Sequence, residues 1–232
     1  MNKIESDLEQ YIDSERAKNL SRFFKTGKGE YGEGDVFIGV TVPQLRDVAK
    51  RNWSVPLRGM ESLIVSPVHE HRLTALLILT YKWERSGEEE KKRIIGFYLK
   101  NIQHINNWDL VDLSAPNILG DWLLDKDRAI LYRLARRKSL WERRIAVLSC
   151  FSFIRKRDFG DAFKIAEMLL DDKHDLIHKA VGWMLREIGK RDLKAEEAFL
   201  DKHAAHMPRT MLRYAIEKFD QGKRKRYLSK SI

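Results

Sequence analysis

S-L-W-E-R-R-I-A-V-L-S-C-F-S-F-I-R-K-R-D, residues 139–158, decides the reading of this chain. Ser139 with Glu142 three residues on is a capping box. Such a hydroxyl accepts from the N–H of the third helical residue, while the carboxylate reaches back to the cap. The apolar positions that follow predict a helix over 140–156. Its end, I-R-K-R-D at 154–158, returns as I-G-K-R-D at 188–192. Amphipathic helices of the same kind begin near His71, Trp108, Trp141, Asp175 and Arg209. They lie roughly 35 residues apart, each separated from the next by another helix.

A helix pair repeating at that length cannot bury its apolar face alone and stacks on its neighbours. The Trp/Gly/Tyr pattern of tetratricopeptide repeats is absent. The expected fold is therefore all-α, an α-solenoid of HEAT-like helical hairpins with a concave, basic surface, forming one domain over 1–232. Five prolines and helical periodicity nearly throughout leave no strand expected. Working outward, helices are predicted over 4–24, 57–65, 70–85, 88–102, 108–114, 117–123, 126–137, 159–171, 174–190, 194–204 and 208–219. A glycine-rich connection, T-G-K-G-E-Y-G-E-G-D-V-F-I-G-V, leads to a helix capped by Thr41 with Gln44 as its capping-box partner.

The stretch N-N-W-D-L-V-D-L-S-A-P-N-I-L-G-D-W, 106–122, concentrates acidic and aromatic residues. Trp108 and Asp112 are four apart and share a helix face. Pro116 cannot continue that helix, so the chain bends or breaks there. A carboxylate beside an indole on a basic protein suits a developing cation; helix capping or an ion pair with an Arg explains the same Asp equally well.

Forty-four Lys and Arg stand against 34 Asp and Glu, a net charge of +10, which points to an anionic partner, nucleic acid being the commonest. Residues 136–157 alone hold Arg136, Arg137, Lys138, Arg143, Arg144, Arg155, Lys156 and Arg157 against the single acid Glu142. Any one of these reads as a solvated surface cation; along a groove they would form a track for a phosphate backbone. Hydrophobic residues at 43 % and charged ones at 34 % describe a soluble globular protein. The single Cys150 excludes an intrachain disulfide and fits a reducing cytosol, and its apolar run places it in the core. The N-terminal stretch M-N-K-I-E-S-D-L-E-Q-Y has no apolar segment of the secretory kind. The longest apolar run, Leu73–Tyr81, is too short to span a bilayer, so no membrane partner is expected.

Gly27-x-Gly29-x-x-Gly32 matches the dinucleotide fingerprint by letter, but it follows a helix and lies in no βαβ unit, so no nucleotide cofactor is expected. His69-Glu70-His71 places its histidines two apart, on different helix faces. His203 and His206 lack further ligands nearby, and no metal is expected. No Ser/His/Asp set stands out, and Cys150 reads as too buried to be a nucleophile. Trp53, Trp83, Trp122 and Trp141 read as core or repeat-interface residues. Trp108 and Trp183 each have a polar neighbour, Asp112 and Arg186. Core packing explains them too, but two indoles and a carboxylate in a basic groove would attract a cation.

The motifs G-V-T-V-P-Q-L-R (39–46), N-W-D-L-V-D (107–112), W-E-R-R-I-A (141–146), K-A-V-G-W-M-L-R-E (179–187) and P-R-T-M-L-R-Y-A-I-E-K (208–218) together resemble the AlkD family of DNA alkylation-repair glycosylases. The resemblance covers nearly the whole chain. It implies a HEAT-like solenoid that holds duplex DNA and hydrolyses the N-glycosidic bond of cationic 3-methyladenine and 7-methylguanine, with the lesion left stacked. It implies Asp112 as catalytic carboxylate, Trp108 and Trp183 as its aromatic partners, and Arg144 as the phosphate contact at the lesion, with Arg143 the other candidate. Arg46, Arg186, Lys190 and Arg213 are implied as further DNA-binding residues. The partner implied is double-stranded DNA with alkylated bases; the protein is expected to be a cytoplasmic, nucleoid-associated monomer without cofactor. Two other classes stand beside this: a non-catalytic binder of unusual DNA structures, and a protein-binding scaffold.

Overall fold

In a computed structural model the helical periodicity resolves into fourteen α-helices over the described residues, 3–230. Met1 and Asn2 of the N-terminal stretch lie outside them. The helices are α1 (Lys3–Glu9), α2 (Ser14–Phe23), α3 (Val42–Arg51), α4 (Glu61–Ile64), α5 (His69–Glu84), α6 (Glu88–Lys100) and α7 (Trp108–Ser114). There follow α8 (Ala129–Ala135), α9 (Leu140–Arg155), α10 (Gly160–Met168), α11 (Asp175–Gly189), α12 (Leu193–His203), α13 (Arg209–Ala215) and α14 (Gln221–Lys230). Among the described residues there is no strand, only an isolated parallel bridge between Val36 and Val68.

The Thr41/Gln44 capping box forms where the sequence places it, and of the Ser139/Glu142 box the structure shows the hydroxyl cap. The Gln44 Oε1 accepts from the Thr41 amide (2.9 Å) and hydroxyl (2.7 Å), and the Ser139 hydroxyl accepts from the Glu142 N–H (3.4 Å). Elsewhere the expected helices are broken or shortened. The 4–24 segment is two helices, because Asp13 caps a new one by accepting from the Arg16 N–H (2.9 Å). The 57–65 segment is a 3-10 turn, Leu57–Met60, followed by the single turn α4. The 117–123 segment is a π-helical turn, Pro116–Gly120, with Gly120 N–H donating to the Ala115 carbonyl (2.9 Å). α14 has no counterpart in the expected set.

The chain packs as two compact units, Met1–Ser114 and Ala115–Ile232, dividing just before Pro116. In the first, α5 lies between α3 and α7 and also packs on α4 and α6. Its run Leu73–Leu79 is buried on every side, as expected of a helix covered on all faces. In the second unit α11 lies between α9 and α13, while α8 and α10 pack on α9 and α12 on α11. In each unit, then, alternate helices stack on one another, the packing of a helical repeat.

Close approach is bought with small residues. A Cβ on Gly182 of α11 would collide with the Met211 carbonyl of α13, and one on Gly120 with the Ser149 carbonyl of α9. The proline break is also satisfied locally, since the Ser152 hydroxyl of α9 donates to the Pro116 carbonyl (2.6 Å). Cys150 is buried in the core, which pushes its thiol up out of reach of ionisation at neutral pH. Trp83 is buried too, but Trp53 corrects the expectation for it: it is 40 % exposed, with the Arg85 guanidinium 5.5 Å from its ring. No helix of the described residues is long and apolar enough to cross a membrane.

Candidate active site

The first unit carries Trp108, Asp112 and Arg46. Trp108 opens α7 and Asp112 follows one turn later; both are half-buried. The Trp108 indole does not stand alone. Phe24 stacks on it (centroids 5.0 Å, 14° between planes), and Phe23 meets it edge-on at 6.0 Å. Phe37 continues the stack on the far side of Phe24 (4.9 Å). Offset and edge contacts of this kind orient a ring as well as burying it. Phe23 itself remains 64 % exposed.

Beneath α7 lies a buried polar cluster that sequence reasoning missed. His69, at the start of α5, bonds through Nε2 to Asp109 (2.8 Å) and through Nδ1 to Asp35 (3.2 Å). Asp35 also accepts from Arg72 Nη2 (2.5 Å) and Asn107 Nδ2 (3.0 Å). The Asn107 side-chain oxygen in turn accepts the Trp108 N–H (2.8 Å), which caps α7. Burial opposes the charge on His69, but Asp109, by charge and hydrogen bond, and Asp35 outweigh it and raise the imidazole to about 9. Burial would lift the Asp35 carboxyl; the bond from His69, the Arg72 charge and the Asn107 amide outweigh that and hold it below the usual carboxylate range. Two cations and two carboxylates therefore balance in a buried site, the arrangement such charges need.

The signals for this cluster were half present. His69-Glu70-His71 stands out in the sequence, where the two histidines fall on different helix faces; Glu70 turns away from His69 and accepts from the backbone of Ile38 (3.1 Å) and Gly39 (2.8 Å). Asp109 sits beside the singled-out Trp108. Asp35 lies in the glycine-rich loop, and nothing local marks its pairing across 34 residues with His69. That loop is held by backbone as well: Val36 N–H donates to Pro67 (3.0 Å) and His69 N–H to Val36 (2.8 Å). The Gly27-x-Gly29-x-x-Gly32 letters form successive turns within it, Gly29 taking φ +79°. His69 and Asp109 help to line a cavity of about 330 Å³ otherwise walled largely by Phe24, Phe37, Leu45 and Leu73. Arg46 lies on α3, half-exposed and with no ion-pair partner among the described residues.

In the second unit, Arg143 and Arg144 sit on α9, Trp183 and Arg186 on α11, Lys190 at the end of α11 and Arg213 on α13. The two adjacent arginines are sharply distinguished. Arg143 is engaged through its whole fork, with Nε on Asp172 (2.6 Å) and Nη1 on the Arg137 (3.1 Å) and Lys138 (2.7 Å) carbonyls. Arg144 is buried, and its Nη1 donates to the Leu176 carbonyl at the start of α11 (2.5 Å). Trp183 is half-buried, donates from Nε1 to Glu187 (3.3 Å) and lies 6.2 Å from Phe151. Glu187 also takes Lys190 (2.5 Å) and Arg191 (3.0 Å), while Arg186 pairs with Glu217. Arg213 is exposed and has no ion-pair partner among the described residues.

The family model described as "DNA alkylation repair enzyme" matches residues 4–219, which takes in every one of these positions. The chain belongs to the DNA alkylation repair enzyme family. No curated protein sequence matches it. Among solved structures, the chain is similar to a predicted DNA alkylation repair enzyme from Enterococcus faecalis, at 18 % identity and TM-score 0.70, over 90 % of this chain and 97 % of that one. It is also similar to AlkD2 from Streptococcus mutans, at 16 % identity and TM-score 0.56, over 92 % and 99 % of the two chains. At such identities the likeness establishes the helical-repeat fold, and the family match carries DNA repair. Within this family member, the candidate residues from Arg46 to Arg213 all lie on α3, α7, α9, α11 and α13 or at the end of α11. These are the helices that stack on one another in each unit.

Proposed function

We propose that this protein is a monofunctional DNA glycosylase that hydrolyses the N-glycosidic bond of cationic alkylated purines in duplex DNA. The observation that carries this reading is Trp108, held on a stack of phenylalanines with the Asp112 carboxylate one turn along the same helix. A purine alkylated at N3 or N7 is already positively charged. When its bond to C1′ breaks, the electron pair passes to the base and neutralises it, so no acid has to protonate the leaving group. The sugar becomes oxocarbenium-like. A fixed carboxylate stabilises that charge, and the indole face adds its quadrupole. Water then adds to C1′ and gives up a proton, with Asp112 positioned to orient the attack.

In this reading Arg144 and Trp183 meet the sugar–phosphate backbone and Arg46, Arg186, Lys190 and Arg213 contribute to duplex binding, while Arg143, its fork held by Asp172 and two carbonyls, serves the fold instead. The lesion stays stacked, and the protein acts as a monomer on DNA in the cytoplasm. The test is release of free 7-methylguanine from methylated duplex by the purified protein. Steady release above the spontaneous rate supports the reading. Steeply salt-dependent duplex binding without release would leave a DNA-binding protein, and binding with little salt dependence a protein scaffold.

A further inference from the structure

The seven-residue α7 is too short to hold its own orientation, since isolated helices of that length are unstable in water. Something outside it fixes the face on which Trp108 and Asp112 stand. The described contacts at its first turn converge on one ring. His69 Nε2 reaches Asp109, and His69 Nδ1 reaches Asp35, which holds the Asn107 amide that caps α7. The same ring stacks on Phe37 (4.5 Å) and lies 5.1 Å from Phe24, the residue stacked on Trp108. Asp109 and Asp112 lie about 300° apart on a helix, three residues at 100° each, so fixing one fixes the direction of the other.

We propose that His69, bonded through both ring nitrogens to Asp35 and Asp109, is a positioning residue for base excision, setting the rotation of α7 and hence the aim of Trp108 and Asp112. The inference rests on the glycosylase reading above. Both nitrogens face carboxylates, so both must carry hydrogen and the ring must be a cation. The charged groups around it are Asp109 from α7, Asp35 from the glycine-rich loop and Arg72 from its own helix, with Arg16 of α2 and Glu70, bonded to the Ile38 and Gly39 amides, on the wall of the adjoining cavity. Loss of the ring proton would leave a nitrogen lone pair facing a carboxylate, and α7 would lose that anchor.

The experiment measures single-turnover release of 7-methylguanine and duplex affinity for wild type, His69→Gln and Asp109→Asn between pH 6 and 10. His69→Gln is expected to lower the excision rate by about 10²-fold, the cost of roughly 1 Å of misplacement, with duplex affinity unchanged. Wild-type rate is expected to fall as pH rises through about 9, and that limb to vanish in His69→Gln. Asp109→Asn keeps an acceptor for Nε2 but removes a charge, so its limb moves to lower pH; it also serves if His69→Gln does not fold. Long-range proton–nitrogen spectra at pH 7 should show both His69 nitrogens protonated. A His69→Gln protein that excises as fast as wild type overturns the positioning role alone, as does an Asp109→Asn limb that does not move. A wild type that releases no base overturns the glycosylase reading, and this role with it.

Discussion

Arg143 and Arg213 both lie on the helices that stack through the second unit, yet their guanidinium groups meet opposite surroundings. Arg143 spends its fork on Asp172 and two carbonyls, whereas Arg213 projects from α13 with no ion-pair partner among the described residues. Their substitutions should therefore separate. Arg213→Ala is expected to weaken binding to any duplex and to reduce the slope of log K against log salt by about 0.9, one phosphate's worth, without lowering the melting temperature. Arg143→Ala leaves Asp172, whose side chain is only 6 % exposed, without its cation. It is expected to cost about 1–3 kcal/mol of stability, the penalty of a buried carboxylate that keeps the His174 N–H but loses its charged partner. Thermal melts beside salt-titrated binding of the two variants check both; an Arg143→Ala protein that melts like wild type contradicts the structural role. Nothing in W-E-R-R distinguishes the two arginines. Their difference comes from Asp172 and Leu176, about 30 residues on, which local pattern cannot supply.

At the scale of the helix, Gly182 explains part of the G-W-M-L-R-E motif. It lets α11 approach α13 so closely that a methyl group would strike the Met211 carbonyl and the Tyr214 side chain. Gly182→Ala is expected to destabilise the protein by about 1–3 kcal/mol, the range for overpacking, and so to lower the melting temperature by several degrees. Scanning calorimetry measures it; an unchanged or raised melting temperature contradicts the close approach. The neighbouring Trp183 would be shifted with its helix, so excision should fall as well. Helices with strong patterns were legible: α7 was expected at 108–114 and is Trp108–Ser114, and α5 and α9 fall within a residue of their expected bounds. The misreadings fall where a side chain or ring intervenes in the ladder. Asp13 restarts a helix that periodicity runs through, and Pro116 turns a predicted helix into a wider turn closed on Ala115. That Trp108 and Asp112 stand one turn apart on a single helix was legible from their spacing, but the cluster beneath them depends on pairings across 34 to 72 residues.

Across the whole molecule, each unit holds among its described residues an ionisable group that makes stability fall as pH rises through the neutral range. In the first, His69 has a folded value of about 9 against an ordinary 6.5, so its contribution is full below 6.5 and lost as pH climbs through 9. In the second, Glu196 is buried with its Oε1 unpartnered; burial, reinforced by Glu197 against the pull of Arg186, raises it from 4.5 to about 8. Between those values the folded state keeps a proton that the unfolded chain releases, so stability again falls with rising pH. Carboxylates held low, such as Asp35, act in the opposite sense but only below the ordinary carboxylate range. Melting temperature is expected to peak in mild acid and decline from pH 6.5 to 9, and Glu196→Gln to flatten the decline below pH 8. A melting temperature that climbs over that interval contradicts both assignments.

The central claim is that the Asp112 carboxylate stabilises the sugar cation as the bond to an alkylated base breaks. Single-turnover release of 7-methylguanine by Asp112→Asn, with duplex affinity measured on the same preparation, tests it most directly. The expected result is excision slower by about 10²–10³-fold, as when a preorganised charge-stabilising group is removed, with affinity unchanged. Release at the wild-type rate by a folded, DNA-bound Asp112→Asn protein would contradict it.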